Sequence, residues 1–120
     1  MRKAYLVATL ITVLEVQVPA SKIVTLRGYL VDQMCAEGIA SQGLKAAAEH
    51  DRTCALMDLC VESGFGVLTE NGAFVAFDEA GSERALAAIE SSSKDRDYKA
   101  TVTGEWQGEE KLKVHSLKLE

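Results

Sequence analysis

The sequence predicts a mainly β domain with added helices (β+α): a five-stranded barrel carrying a helical insertion after strand 1 and a helix between strands 3 and 4. Three observations carry this expectation. Tyr98, Ala100, Val102, Gly104 and Trp106 alternate strictly with Lys99, Thr101, Thr103, Glu105 and Gln107, the period-2 mark of a strand with one buried face. Asn71-Gly72 separates two short apolar runs, the strongest local hairpin signal. Leu44 to Val61 is rich in helix formers, including three consecutive alanines.

The elements follow in order. Ile23 to Val31 is β-branched and apolar, with Val24, Leu26 and Leu30 on one face and Gly28 placed where a strand bends or bulges. Ala36 to Gln42 is small and polar and reads as a loop. The helical stretch from Leu44 stops at Glu62-Ser63-Gly64, with Gly64 as the end signal. Gly66 to Thr69 and Ala73 to Phe77 form a hairpin through Glu70-Asn71-Gly72, expected as a type I′ turn with positive φ at both central residues. A second helix is expected from a Ser82 cap, with Leu86 and Ile89 on its apolar face. Ser91 to Asp95 reads as a solvated loop.

The closing strand changes phase. Leu112 and Val114 share one parity and Leu117 and Leu119 the other, which predicts a β-bulge near His115-Ser116. Without the insertion the order is β-β-β-α-β-β, that of an OB-fold, whose first strand commonly serves both sides of the barrel. An α+β sandwich of the same elements is the rival. Trp106 is expected to fill the barrel, His115 to face solvent, and Lys111, Lys113 and Lys118 to form an outer strand face that discourages edge pairing.

The 120 residues suit one domain, with 48% apolar residues. Residues 1–20 match a secretory signal: Arg2 and Lys3, an apolar run from Ala4 to Leu14, then Val18-Pro19-Ala20 ahead of a cut before Ser21. Glu15 is unusual so near the apolar run, and a buried N-terminal strand or helix is the alternative. The run is too short to anchor a mature chain in a bilayer. Residues 21–120 would then be a single periplasmic or secreted OB-like domain. Losing Arg2, Lys3 and Glu15 takes the net charge from −5 to −6. So acidic a domain is ill-suited to neutralising phosphates, which argues against nucleic acid as a partner.

The chemistry lies in the three cysteines, Cys35, Cys54 and Cys60, together with His50 and an Asp32-x-x-Cys35 step. Export would expose these thiols to an oxidising compartment where disulfides persist. On an unbroken helix Cys54 and Cys60 would be roughly 10 Å apart, beyond the roughly 7 Å reach of a disulfide. A bridge therefore needs a broken helix, or pairs Cys35 with one of them and leaves the other free. Metal binding is the second reading. His50 and Cys54 stand at i, i+4 and could share an ion on one helix face, and adding Cys35 and Cys60 gives a Cys₃His zinc shell.

Met34 and Met57 flank the thiols, so sulfur ligation of copper is a further option, their alternative being core filling. Asp32 suits a supporting acceptor for the His50 ring, or simply a turn residue ending strand 1. Thiol redox chemistry is the third reading, with Arg52 and His50 as cations able to activate Cys54. There is no C-x-x-C or C-x-x-C-H, and nothing in the chain demands a catalytic residue.

Gly28-Tyr29-Leu30-Val31-Asp32-Gln33-Met34-Cys35, then His50-x-x-x-Cys54-Ala55-Leu56-Met57-Asp58-Leu59-Cys60, and Ser63-Gly64-Phe65-Gly66-Val67 resemble an uncharacterised family of small exported bacterial proteins. The likeness extends through Val102-Thr103-Gly104 and the closing hairpin. It implies that Asp32, Cys35, His50, Cys54 and Cys60 act as one constellation, and it implies no activity. The expectation is an exported small binding domain, its ligand a metal such as zinc or copper, or a protein partner. A thiol/redox protein using one reactive cysteine is the alternative.

Overall fold

In the computed structural model, which describes residues 23–108 and 110–120, a ten-residue strand β1 (Ile23–Asp32) leads into four short helices. These are α1 (Gln33–Gln42), α2 (Leu44–Glu49), α3 (Arg52–Ala55) and α4 (Asp58–Ser63). Then come β2 (Phe65–Thr69), β3 (Phe74–Phe77), α5 (Glu79–Ser91), β4 (Lys99–Gln107) and β5 (Lys111–Leu119). The signal expected at residues 1–20 lies outside the described residues. No helix among the described residues is long and apolar enough to cross a membrane.

The strands pair in the order β1-β2-β3-β5-β4, and β4 returns to β1, so the five-stranded sheet closes on itself. All ladders are antiparallel except β3 with β5, which pair in parallel over Ala76 with Lys111 and Phe77 with Leu112. Closure depends on β1 changing partners. Its first part, Ile23 to Tyr29, pairs with β4, and its last part, Gly28 to Asp32, pairs with β2. A Cβ on Gly28 would sit 2.0 Å from the backbone oxygen of Leu68, so only glycine allows the two strands this approach.

Leu30, Phe65, Val67, Phe77, Ala100, Val102 and Leu112 fill the interior, each 1% exposed or less, and Ala85 and Ile89 of α5 join the same core. The bulge forms where expected: Thr103 pairs with Ser116 but Gly104 with Val114, leaving His115 as the extra residue. Trp106 is only partly buried and packs against this core from its margin, where a filler was expected. The Lys111, Lys113 and Lys118 side chains are exposed, but β5 is paired on both sides and is no edge strand.

Several local expectations are corrected. The Ala36–Gln42 loop belongs to helix α1, because Asp32 caps it: its Oδ2 accepts from the Cys35 N–H at 3.0 Å. The single helix over Leu44–Val61 is three helices, interrupted at His50-Asp51 and Leu56-Met57. The physical reason lies in what each piece covers. Ala36, Ile39 and Ala47 pack with Val31 and Leu68 in a satellite core, whereas Ala55, Leu56 and Val61 pack against the barrel core itself. A straight helix cannot reach both.

The hairpin turn is not type I′. Among the described non-glycine residues only Asp97 has positive φ, so Asn71 stays right-handed and Gly72 alone, at φ 88°, turns left-handed. Asn71 Oδ1 instead accepts from the Thr69 hydroxyl and the Ala73 N–H, a local bond that favours this tighter arrangement. Asp78, not Ser82, caps α5 by accepting from the Gly81 N–H at 2.9 Å, and Ser82 Oγ accepts from the Phe65 N–H.

Candidate metal centre

The β1–β2 ladder brings the ends of the insertion together. Asp32 pairs with Phe65, the Gln33 N–H donates to the Gly64 carbonyl at 2.8 Å, and the Met34 N–H donates to Ser63 Oγ at 3.1 Å. The first turn of α1 therefore lies against α4, and Cys35 and Cys60, 25 positions apart in sequence, line the same cleft. Each cysteine occupies the third residue of a short helix: Cys35 after the Asp32 cap, Cys54 after Asp51, and Cys60 after Met57. Asp51 repeats the role of Asp32, accepting from the Cys54 N–H at 2.9 Å. Sequence reasoning missed Asp51, although Asp51-x-x-Cys54 repeats the Asp32-x-x-Cys35 pattern.

All four expected donors line one open cleft of about 400 Å³: Cys35, His50, Cys54 and Cys60, joined by Met34 and Met57. Gly38, Ile39 and Gln42 complete its wall, so no lysine or arginine lines it. All three cysteines are free thiols. Cys60 is buried, Cys35 half-buried and Cys54 exposed. The expected i, i+4 placement of His50 and Cys54 on one helix is corrected: His50 ends α2 with ψ 111°, and Cys54 belongs to α3. They reach the same cleft across a break.

At the floor, donor atoms of Asp32, Cys35 and His50 all lie within 4.8 Å of one another. The Asp32 side chain is fully buried and that of His50 is 8% exposed, with His50 Nε2 2.8 Å from Asp32 Oδ1. Burial pushes the Asp32 carboxyl upward, but the His50 and Cys35 hydrogen bonds outweigh it, and the carboxyl titrates below its ordinary range. An ionised carboxylate only accepts, so Nε2 carries the proton that it shares with Asp32. A ring whose one proton is on Nε2 carries its lone pair on Nδ1, the tautomer a metal-ligating histidine needs. Asp32 uses Oδ1 on the His50 ring and Oδ2 on the Cys35 N–H.

The thiols are held protonated. Burial first, then the charge and hydrogen bonding of Asp32 and contact with Cys60, push Cys35 up to about 12. Cys60 is raised by burial and by Asp32, and Cys54 by the hydrogen bond its thiol donates to Asp51, by burial and by the two aspartate charges. Arg52, one of the two cations expected to activate Cys54, is engaged elsewhere. Arg52 donates to the carbonyls of Ile89, Glu90 and Ser92 at 2.8, 2.8 and 3.0 Å, closing the C-terminal end of α5. His115, the other histidine, lies on the far sequence end of the barrel and is exposed beside Glu105.

Taken chemically, the cleft is a set of soft donors around a buried carboxylate. No lysine or arginine lines it. A bound cation would reverse the electrostatics, because it displaces thiol protons that the carboxylates now retain. No family model, curated protein or solved structure matches the chain.

Proposed function

We propose that this protein is an exported, single-domain OB-fold protein that binds a thiophilic metal ion through Cys35, His50 and Cys60, with Cys54 at the lip and Asp32 fixing the imidazole. The convergence of three unlinked thiols and an oriented histidine on one cleft supports this reading most directly. The strand order β1-β2-β3-β5-β4, with a helix between β3 and β4, favours the OB-fold, and the insertion holding the cleft follows its first strand. The pattern of residues 1–20 motivates export. In an oxidising compartment free thiols tend to pair, and a bound ion protects them. A thiol/redox role would need a cation beside one sulfur, and Arg52 is committed to α5.

The test is a thiol titration of native full-length protein alongside its metal content. Bound metal with no reactive thiol, followed by release of all three thiols on adding chelator without reductant, is the expected result. One thiol reactive throughout, with two more appearing only after reductant, would replace the metal with a disulfide.

A further inference from the structure

The deepest donors of this cleft are thiols and an imidazole, but its rim is thioether. Met34 is 55% exposed and Met57 56%, and both line the cleft beside the cysteines. The expected alternative for them, filling the core, therefore does not hold. Met34 sits in the first turn of α1 immediately before Cys35, and Met57 is the cap of α4, in the break that separates Cys54 from Cys60. A methionine gains little by standing in water, and here two do so at one opening. Placement at one mouth gives them a shared job.

Resting on the metal reading above, we propose that the ion is monovalent copper, and that Met34 and Met57 are its entry and exit ligands, passing it between solvent-side carriers and the Cys35–Cys60 pair. Three features favour this ion over zinc. A thioether is a soft, neutral donor that selects copper(I) and adds little for zinc. A structural zinc shell closes four donors around one ion, whereas here Cys54 is exposed and Cys35 is the one thiol within the tight Asp32, Cys35 and His50 group. Cys35 and Cys60 line the same cleft from α1 and α4, which pack together, and a pair of sulfurs satisfies copper(I), which accepts low coordination.

The exchange is a ligand substitution without electron transfer. Copper stays monovalent throughout. The ion leaves a carrier's sulfur, binds a methionine thioether with no proton displaced, then forms a bond to each thiol sulfur as that sulfur's proton passes to water. Release retraces these steps. The open cleft and exposed rim suit such traffic, where a structural site would be closed.

The experiment uses full-length protein under anaerobic conditions, with copper(I) presented on a chromogenic bicinchoninate complex and zinc(II) presented separately. The variant Met34→Leu with Met57→Leu keeps apolar bulk at two exposed positions and leaves every thiol in place. Copper(I) uptake and release should slow on the order of tenfold in this variant, at the low end of what supporting ligands contribute, with zinc(II) binding unchanged. Equal copper kinetics in the variant, or zinc(II) bound in preference to copper(I) with dependence on Cys35 and Cys60, would overturn the copper assignment while the metal reading stands. Failure of the unaltered protein to bind either ion would overturn both.

Discussion

Asp32 joins three parts of the structure around the cleft. It ends β1, caps α1 and orients His50, all from full burial. Asp32→Asn keeps its size but not its bonding, since the amide group must turn one N–H donor toward either His50 or the Cys35 N–H. A buried donor left unpaired costs about 1–3 kcal/mol, which should appear as a lower midpoint in chemical denaturation. Metal affinity should fall about 10–100-fold, as it does when the acceptor behind a ligating histidine is lost. The pH dependence has a definite sign. The folded carboxyl titrates below its unfolded value, so its stabilisation is complete above about pH 4 and disappears as the pH falls through the lower folded value. Metal-free protein should therefore lose stability below about pH 4, and Asp32→Asn should flatten that decline in acid titrations followed by circular dichroism. An equally steep decline in the variant would mean that another carboxylate governs acid unfolding.

At the level of elements, β1 and Arg52 make separate predictions. Gly28→Ala drives a methyl group into the Leu68 backbone at the point where β1 changes partners, and the nearest atoms, all backbone of Leu68 and Thr69, cannot swing aside. The expected loss is about 2–4 kcal/mol by denaturant titration, above the usual range for surface changes. Arg52→Ala removes three hydrogen bonds to the end of α5 and should lower the melting temperature. Because Arg52 is turned away from Cys54, the pH profile of Cys54 alkylation should stay where it was; a shift to higher pH would restore Arg52 as a thiol activator. The strands were legible because alternation is a local signal: β4 and the His115 bulge follow from parity alone. The helix breaks were not, because Leu44–Val61 has uninterrupted helical propensity and the need to bend from β1's flank to the barrel's end is tertiary. Their caps were nonetheless written in the chain. Asp32, Asp51 and Asp78 each precede by three residues the N–H they accept, so Asp-x-x reads as a start signal that alanine-rich propensity masked. The donor set was visible as residue types, while its assembly depended on a β1–β2 register that no local pattern encodes.

On the scale of the whole molecule, the barrel and the insertion divide the labour. The barrel core of Leu30, Phe77, Val102 and Leu112 is sealed by α5, whereas α1 and α2 rest on a satellite core of Val31, Ala36, Ile39, Ala47 and Leu68. The cleft is built entirely from residues 34–60, between the ladder that ends at Asp32 and the one that begins at Phe65. Metal binding should therefore act unevenly. An ion present at about a hundred times its dissociation constant stabilises the folded state by about 2.7 kcal/mol through linkage alone. Local opening of the insertion breaks the cleft without opening the barrel, so amides of α1 to α4 should gain most of the added protection from hydrogen exchange. Those of β3, α5 and β5, which contribute no residue to the cleft, should change little. Native-state exchange with and without the ion checks this directly. Protection rising uniformly across barrel and insertion would mean that the two unfold as one unit and that the ion reports on global stability, whereas protection confined to residues 33–64 would show an insertion that the ion itself locks against a preformed barrel.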